Sequence, residues 1–327
     1  MLACRVLSKG SGKARRLVIS AAAKVNLALE VLSRRADGYH EIATVMHAVD
    51  LSDRLTLEEA PTIEVCTSAP GVPTDERNLA YRAAAAVRDA AGVDRGVRIT
   101  LDKRIPVAAG LGGGSTDAAA VLAGVNRLWG LRWPTERLEE LAVGLGMDVP
   151  FFLRGGAALG TGRGERLTEL RSAVLALVLV NPRFPVSTAE TYGRMRPALY
   201  SDGAHSRAVA GALASRAAGR VAASLYNGLA LAAREAYPQI GQMEAALTAA
   251  GALGAMMSGS GPTVFGVARS WDQARQIRTR VARGTWECWA VRTLRGPAIR
   301  IRAEGSRGTL GGEPCQGSPP SRTRDNG

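Results

Sequence analysis

The chain has 327 residues, of which 46% are hydrophobic and 22% charged, and its formal net charge is +13. The length allows two domains or one large one, and the longest wholly apolar run, residues 173–180, is far too short to span a membrane. Aromatic residues make up only 5% of the chain and do not alternate with the basic ones, so an anionic small molecule is favoured over a nucleic acid as partner.

The first 16 residues are small, basic and without periodicity, which predicts a disordered lead. Residues 17–20 then form a short predicted strand that runs into an apolar segment. Lys24 and Asn26 are the polar exceptions in that segment. A lone lysine among apolar neighbours is usually a strand-edge residue whose ammonium reaches water, so this segment alone does not mark a functional site.

A polar segment at 34–41 follows, and its Asp37-Gly38 pair favours a sharp turn. Tyr39 and His40 come directly after that turn. A histidine in such a place is ordinarily a surface residue, and the three histidines of the chain show no metal-binding spacing.

The most informative stretch, residues 106–129, places four glycines ahead of an apolar helical pattern. Glycines at 110, 112, 113 and 114 permit close approach of a ligand to the backbone. The apolar positions from 118 to 129 have the spacing of a helix with one buried face. The first N–H groups of a helix lack partners within it and carry the positive end of its dipole, which suits a phosphate.

This pattern is not a P-loop, because no lysine follows the glycines, and Ser115 stands where the dinucleotide fingerprint needs its third glycine. A glycine-rich turn that only caps a core helix is the alternative. The predicted nucleotide-binding residues are Pro106, Val107, Ala108, Ala109, Gly110, Leu111, Gly112, Gly113, Gly114, Ser115 and Thr116.

A second predicted helix begins at Pro134 and ends at Gly146, and Asp148 follows it. Asp148 is the only acid between Glu140 and Glu165, among apolar or small residues, where unpaired acids are rare. Local sequence leaves two interpretations open for it, a cap of the next turn or a catalytic carboxylate.

The remaining patterns predict ordinary elements of an α/β protein. Residues 198–222 give no clear pattern, and glycine, proline, serine and arginine predict a disordered tail from 297 onward. Strands are predicted at 42–57, 97–101, 173–182 and 286–291. Two predicted helices end near 92 and 251, a third begins within 186–192, and a fourth lies at 271–283. Glycine-dense or tight turns are predicted at 155–165 and 257–263.

Three segments in order, P-x-x-x-G-L-G-G-G-S-T at 106–116, L-G-M-D-V-P at 145–150 and the turn at 257–263, resemble motifs of the GHMP kinases. That superfamily is named for galactokinase, homoserine kinase, mevalonate kinase and phosphomevalonate kinase. K-x-N-L at 24–27 and R-x-D-G-Y-H-E at 35–41 are similar to the opening of the branch that acts on 4-diphosphocytidyl-2-C-methyl-D-erythritol. The resemblance covers roughly residues 18–295.

The resemblance implies an α/β (α+β) architecture with two domains and the active site in the cleft between them. The first domain, 17–165, would be ribosomal-protein-S5-like and bind ATP, and the second, 166–296, would be ferredoxin-like. The segments 1–16 and 297–327 would be a disordered lead and tail.

The resemblance also implies the reaction: ATP, with Mg²⁺, phosphorylates the 2-hydroxyl of a cytidine-diphosphate-linked methylerythritol, on the non-mevalonate route to isopentenyl diphosphate. Asp148 is expected to be the base, and Lys24 to keep it ionised and stabilise the transferring phosphoryl group. Asn26 is expected to hydrogen-bond the same hydroxyl, and Tyr39 and His40 to hold the cytosine. Ser115, or Thr116, would ligate Mg²⁺.

Three alternatives remain at this point: a GHMP kinase acting on homoserine or mevalonate, a catalytically silent binding protein on this fold, and a nucleic-acid binder acting through its basic ends. The segment 35–41 argues against the first, because those substrates need no cytosine site. Intact Lys24 and Asp148 argue against the second. We expect a cytoplasmic monomer or weak homodimer with neither a nucleic acid nor a membrane as partner.

Overall fold

The computed structural model describes residues 16–304 apart from 172 and 283, so most of the predicted lead (1–15) and tail (305–327) lies outside the described residues. The strands are β1 Arg16–Arg34, β2 His40–Ala60, β3 Ile63–Thr67, β4 Gly96–Asp102, β5 Ala157–Thr161, β6 Arg166–Leu170, β7 Ala176–Asn181, β8 Tyr226–Asn227, β9 Gly254–Met257, β10 Val264–Ala268, β11 Glu287–Arg292 and β12 Ile299–Glu304. The helices are α1 Leu79–Ala91, α2 Gly113–Leu128, α3 Thr135–Leu145, α4 Val149–Arg154, α5 Thr188–Gly193, α6 Ala204–Ala214, α7 Ala218–Ser224, α8 Ala230–Ala236, α9 Gln239–Ala249 and α10 Trp271–Val281.

A mixed sheet of eight strands forms the first half of the molecule. Its main path runs β12-β1-β2-β4-β3, with β5 and β6 continuing from β2 and β8 lying beside β1. Helices α1 to α4 pack on it through a continuous apolar core that includes the alanine-rich faces of α1 and α2. Small side chains on these two helices let them lie close together and close to the sheet.

A second sheet, in the order β11-β7-β10-β9, has all its neighbouring strands antiparallel. Helices α9 and α10 pack on it, and the apolar core they form with the sheet also includes Leu29 and Val31 of β1. The connections β7-helices-β9-β10-α10-β11 give the ferredoxin-like arrangement that was predicted for this half.

The hairpin of β1 and β2 joins the two halves, because residues of β1 contribute to all three apolar cores. The short strand predicted at 17–20 is therefore too short: it is the start of a strand of 19 residues. The pairing of β1 with β2 shifts register near Asn26, and such bulges re-aim the side chains beside them.

Two predicted domain limits need correction. Strand β6, which begins at Arg166, pairs with β5 and so belongs to the first sheet, not to the second half. The predicted disordered tail contains β12, which pairs with the start of β1 from Arg16 to Ala21. Ile299 and Ile301 pack on the first core while the arginines between and after them are exposed; this alternation is typical of a strand with one covered face.

The other predicted strands and helices are confirmed with small shifts in their ends, but the turn predicted at 155–165 contains β5, which pairs with both β2 and β6. Helix α1 ends at Gly92, whose φ of +61° is left-handed, and α2, α3, α9 and α10 lie where the periodicity placed them. The segment 198–222, which gave no clear pattern, contains α6 and most of α7. Among the described residues, no helix combines the length and apolarity needed to cross a bilayer.

Candidate active site

A cavity of about 1400 Å³ lies between the two halves. Elements of both halves line it: β1, the glycine loop and Asp148 from the first, and α5 and the turn before β10 from the second. Every predicted site residue except Leu111 and Thr116 lines this cavity. Those two have buried side chains, so they contribute backbone to the loop.

The glycine loop ends in the N-terminus of α2. Gly112 is the N-cap with a φ of +72°, and no side chain caps the helix. The first hydrogen bond into the helix is donated by the backbone N–H of Thr116 to Gly112 O at 2.9 Å. The N–H groups of the three residues before Thr116 therefore lack acceptors within the helix and lie at the positive end of its dipole.

Gly110 fixes the loop against the second half. Its φ is +75°, and a Cβ on it would lie 2.2 Å from the carbonyl oxygen of Ser258. Ser258 Oγ donates to Gly110 O at 2.9 Å and accepts from the backbone N–H of Asn26 at 3.2 Å. The predicted turn at 257–263 thus contacts both the loop and β1.

Lys24 and Asn26 lie two residues apart on β1, so their side chains leave the same face of the strand. Lys24 Nζ donates to Asn26 Oδ1 at 2.5 Å and to Gly110 O at 3.2 Å, and it lies 3.5 Å from Asp148 Oδ2. Lys24 is only 3% exposed, so the interpretation of a strand-edge lysine reaching water is wrong.

Asn26 and Asp148 differ in how many of their side-chain polar atoms form hydrogen bonds. Asn26 also donates through Nδ2 to Thr44 Oγ1 at 2.8 Å, so both ends of its amide are fixed. Asp148 precedes α4, but its side chain makes no capping hydrogen bond. Its carboxylate is 35% exposed towards the cavity. The capping interpretation of Asp148 is therefore not supported.

A second lysine of the cavity was not singled out from the sequence. Lys103 Nζ lies 2.5 Å from Asp53 Oδ2 and 2.6 Å from Asp117 Oδ2, and all three side chains are at least 93% buried. Burial, opposed by Lys103 and reinforced by the charge of Asp53, raises the pKa of Asp117 to about 7. Asp117 could have been noticed in the sequence as an acid within the largely apolar α2. Its partners could not, because Lys103 and Asp53 are distant in sequence.

Tyr39 and His40 lie at the tip of the β1–β2 hairpin and line the end of the cavity that is farther from the glycine loop. The His40 ring centre lies 5.4 Å from that of Tyr192 and 6.3 Å from that of Tyr200. Burial and the charge of Arg34 lower the pKa of His40, which favours its neutral form. Burial, and to a smaller extent the charge of Asp148, raise the pKa of Tyr192. No pattern in the sequence marked Tyr192 or Tyr200 as a site residue.

Comparison with known proteins agrees with this geometry. Residues 78–156 match the family described as GHMP kinases N terminal domain, and residues 208–287 match GHMP kinases C terminal. The fold and the site therefore define a GHMP kinase, an ATP-dependent enzyme acting on a small molecule.

The curated 4-diphosphocytidyl-2-C-methyl-D-erythritol kinase of Pelotomaculum thermopropionicum is 46% identical over 84% of this chain and 96% of its own length, and that of Symbiobacterium thermophilum is 47% identical over 83% and 98%. This chain belongs to the 4-diphosphocytidyl-2-C-methyl-D-erythritol kinase family.

Solved structures agree with this assignment. The crystal structure of a 4-(cytidine 5'-diphospho)-2C-methyl-D-erythritol kinase is 38% identical, covers 84% of this chain and 98% of that one, and superposes with a TM-score of 0.73. A homoserine kinase from Cytophaga hutchinsonii, 20% identical over 91% of this chain and all of the other, superposes with a TM-score of 0.71 and shares the fold.

Proposed function

We propose that this protein transfers the γ-phosphoryl group of ATP to the 2-hydroxyl of 4-diphosphocytidyl-2-C-methyl-D-erythritol. The observation that carries the proposal is one continuous cavity with the Lys24–Asp148 pair in it, the glycine-capped helix on one side and the Tyr39–His40 group on the other. The names of the relatives support the same substrate over homoserine or mevalonate.

Asp148 is the base in this proposal. Its carboxylate is open to the cavity and free of a capping bond, so it can accept the hydroxyl proton as the oxygen attacks phosphorus. The ammonium of Lys24 is held by Asn26 and Gly110, in position to stabilise both the carboxylate and negative charge on the phosphoryl group. The amide of Asn26, fixed by Thr44, orients Lys24 and has one remaining N–H for the acceptor oxygen.

The helix N-terminus would hold the polyphosphate through backbone N–H groups. Mg²⁺ would be held by Ser115, whose hydroxyl lines the cavity, together with phosphate oxygens and water, and would neutralise charge on the phosphates. Across the described chain, no three His, Cys, Asp or Glu side chains cluster tightly enough to hold a metal alone. That fits Mg²⁺, which usually keeps several waters and takes one or two protein ligands beside the phosphates.

The test is an ADP-release assay with three acceptors: the cytidine-diphosphate-linked methylerythritol, homoserine and mevalonate. We expect turnover with the first and background rates with the other two. A Tyr39→Ala, His40→Ala variant should raise KM for the first acceptor and leave KM for ATP unchanged. Turnover with homoserine or mevalonate, and none with the cytidine-linked alcohol, would overturn the proposal.

A monomer or weak homodimer in the cytoplasm, with neither a nucleic acid nor a membrane as partner, also stays a proposal. The low aromatic content, 5% of the residues, supports the absence of a nucleic acid as partner, because a base-stacking surface needs aromatic side chains. Sedimentation velocity and a salt titration of DNA binding test it, because binding through basic ends would weaken steeply with salt.

A further inference from the structure

Arg163 lies at the far end of the cavity, in the turn between β5 and β6. Gly162 and Gly164 on either side of it have φ values of +74° and +113°. Gly162 O accepts the backbone N–H of Ile42 at 2.8 Å, two residues beyond His40. The backbone N–H of Arg163 donates to Glu165 Oε2 at 2.7 Å. The turn is thus fixed against the segment that carries Tyr39 and His40.

The side chain of Arg163 covers one face of the Tyr39 ring. Its guanidinium carbon lies 5.1 Å from the ring centre, the distance of a cation–π contact. Tyr39 is nevertheless 56% exposed and lines the cavity. A ring has two faces, so the contact with Arg163 leaves the other face open for stacking with a base.

The guanidinium retains unused hydrogen-bond donors. Its one ion pair, from Nε to Glu165 Oε1, is long at 3.9 Å. Within the part of the chain that the structure describes, no side chain or carbonyl accepts a hydrogen bond from it. Arg34 also lines this end of the cavity, whereas the acids lining the cavity, Asp117 and Asp148, belong to the loop and lysine end. The charged groups that line the Tyr39 end of the cavity therefore include Arg34 and Arg163, whereas the carboxylates near Arg163, those of Asp37 and Glu165, do not line it.

We propose that Arg163 determines specificity for a pyrimidine nucleoside diphosphate. It holds Tyr39 in place by stacking on one face of the ring, and its free N–H groups bind the diphosphate of the molecule whose base stacks on the other face. This inference rests on the proposed function, because it names how the cytidine-linked acceptor is recognised. Arginine suits both tasks, since its planar group stacks on rings and donates to two phosphate oxygens at once.

The test is calorimetric binding of CDP and of cytidine, with the nucleotide site first filled by a non-hydrolysable ATP analogue. Arg163→Gln should weaken CDP binding about tenfold more than cytidine binding, the usual effect of losing a hydrogen bond to a charged group. Arg163→Lys should recover part of the CDP affinity because it keeps the charge. Arg220→Gln is the matched control, since Arg220 is exposed on α7 and lies outside the cavity lining.

In turnover, Arg163→Gln should raise KM for the cytidine-linked alcohol about tenfold and leave kcat and KM for ATP near their wild-type values. Unchanged CDP affinity in a variant with the wild-type melting temperature would overturn the inference. Equal losses for CDP and cytidine would overturn the diphosphate contact, because Arg163 would then act only by holding Tyr39. If the wild type binds neither ligand while still releasing ADP with homoserine or mevalonate, the proposed function itself fails.

Discussion

Two lysines reach into the same cavity, and each has aspartate as a partner, yet their surroundings differ. Lys103 lies between Asp53 and Asp117, 2.5 and 2.6 Å away, with both carboxylates almost wholly buried. Lys24 stands 3.5 Å from Asp148, whose carboxylate is 35% exposed. In the first arrangement, the closed cluster of Lys103, Asp53 and Asp117, the charged groups are buried and bind one another. In the second, the open pair of Lys24 and Asp148, the carboxylate can still bind a ligand. A Lys–Asp pair therefore marks chemistry only where one partner retains unused bonding capacity.

The free-energy cost of burying each set of charges follows from the same difference in exposure. Desolvating ions is expensive, so a closed buried cluster is stable only while all its members remain. Asp53 has further support, because its Oδ1 accepts the backbone N–H groups of Arg104 and Ile105 at 2.6 and 2.9 Å. That support anchors the segment leading into the glycine loop. The Lys103 cluster thus lies beside the glycine loop, whereas in the proposed function the Lys24–Asp148 pair acts on the acceptor hydroxyl.

The largest expected effect is on turnover at the open pair. Asp148→Asn keeps the shape of the side chain but cannot accept a proton, and general-base catalysis is worth about 10²–10⁴-fold. We expect kcat to fall by that order, with ATP affinity and thermal stability unchanged. Stopped-flow turnover and calorimetry check this, with Asp272→Asn, at the exposed start of α10, as control. Near-normal kcat would remove Asp148 as the base.

At the closed cluster the main effect should be on stability. Lys103→Met keeps the stem and leaves two buried carboxylates facing each other, which should lower the free energy of unfolding by about 3–5 kcal/mol. Lys24→Met is the matched variant. It removes a buried charge whose carboxylate partner reaches water, but also the hydrogen bonds to Asn26 Oδ1 and Gly110 O, so the free energy of unfolding should fall by less than in Lys103→Met. Urea titration measures both, and equal losses would contradict the distinction between the two lysines.

The open pair should also act as one unit in catalysis. If Lys24 works through Asp148, the losses in kcat from Lys24→Met and Asp148→Asn should not add, and the double variant should be little worse than the poorer single one. Turnover of the four enzymes gives the coupling energy, expected at about 0.5–3 kcal/mol. Fully additive losses would mean that Lys24 acts on phosphate separately.

The smallest effect is a pH dependence of stability at the closed cluster. The folded pKa of Asp117 is raised, mainly by burial, from its ordinary 3.8 to about 7. The folded protein therefore holds this proton at pH values where the unfolded chain has lost it, so the stability from Asp117 is lost as pH rises through about 7. Asp117→Asn should flatten that fall in the free energy of unfolding, which runs from about pH 4 to about pH 7. Parallel profiles for both proteins would contradict this pKa.

The sequence was most informative where local pattern and chemistry coincide. The four glycines and the helical stripe placed α2 and its bare N-terminus, and Lys24, Asn26 and Asp148 stood out as polar residues in apolar segments. Periodicity could not pair Lys103 with Asp53, because the two are 50 residues apart and meet only through sheet register.

Other parts of the site and fold escaped prediction for different reasons. Tyr192 lies at the end of α5, a helix of six residues whose sequence predicts structure but no role. Strand β12 was hidden because Ile299 and Ile301 stand in a segment otherwise rich in arginine and glycine. Any truncation of the tail must therefore begin after Glu304, since an earlier one removes a strand of the first sheet.

The pairing of Arg16 with Glu304 brings the first and last described residues of the chain side by side. During synthesis the outer edge of β1 over Arg16–Ala21 stays unpaired until the ribosome has released β12, about 280 residues later. An open apolar edge of this kind readily joins to strands of other chains. The outer edge of the strand that carries Lys24 is consequently covered only after residues 299–304 have been made, so it is open to other chains during most of the synthesis of residues 16–304.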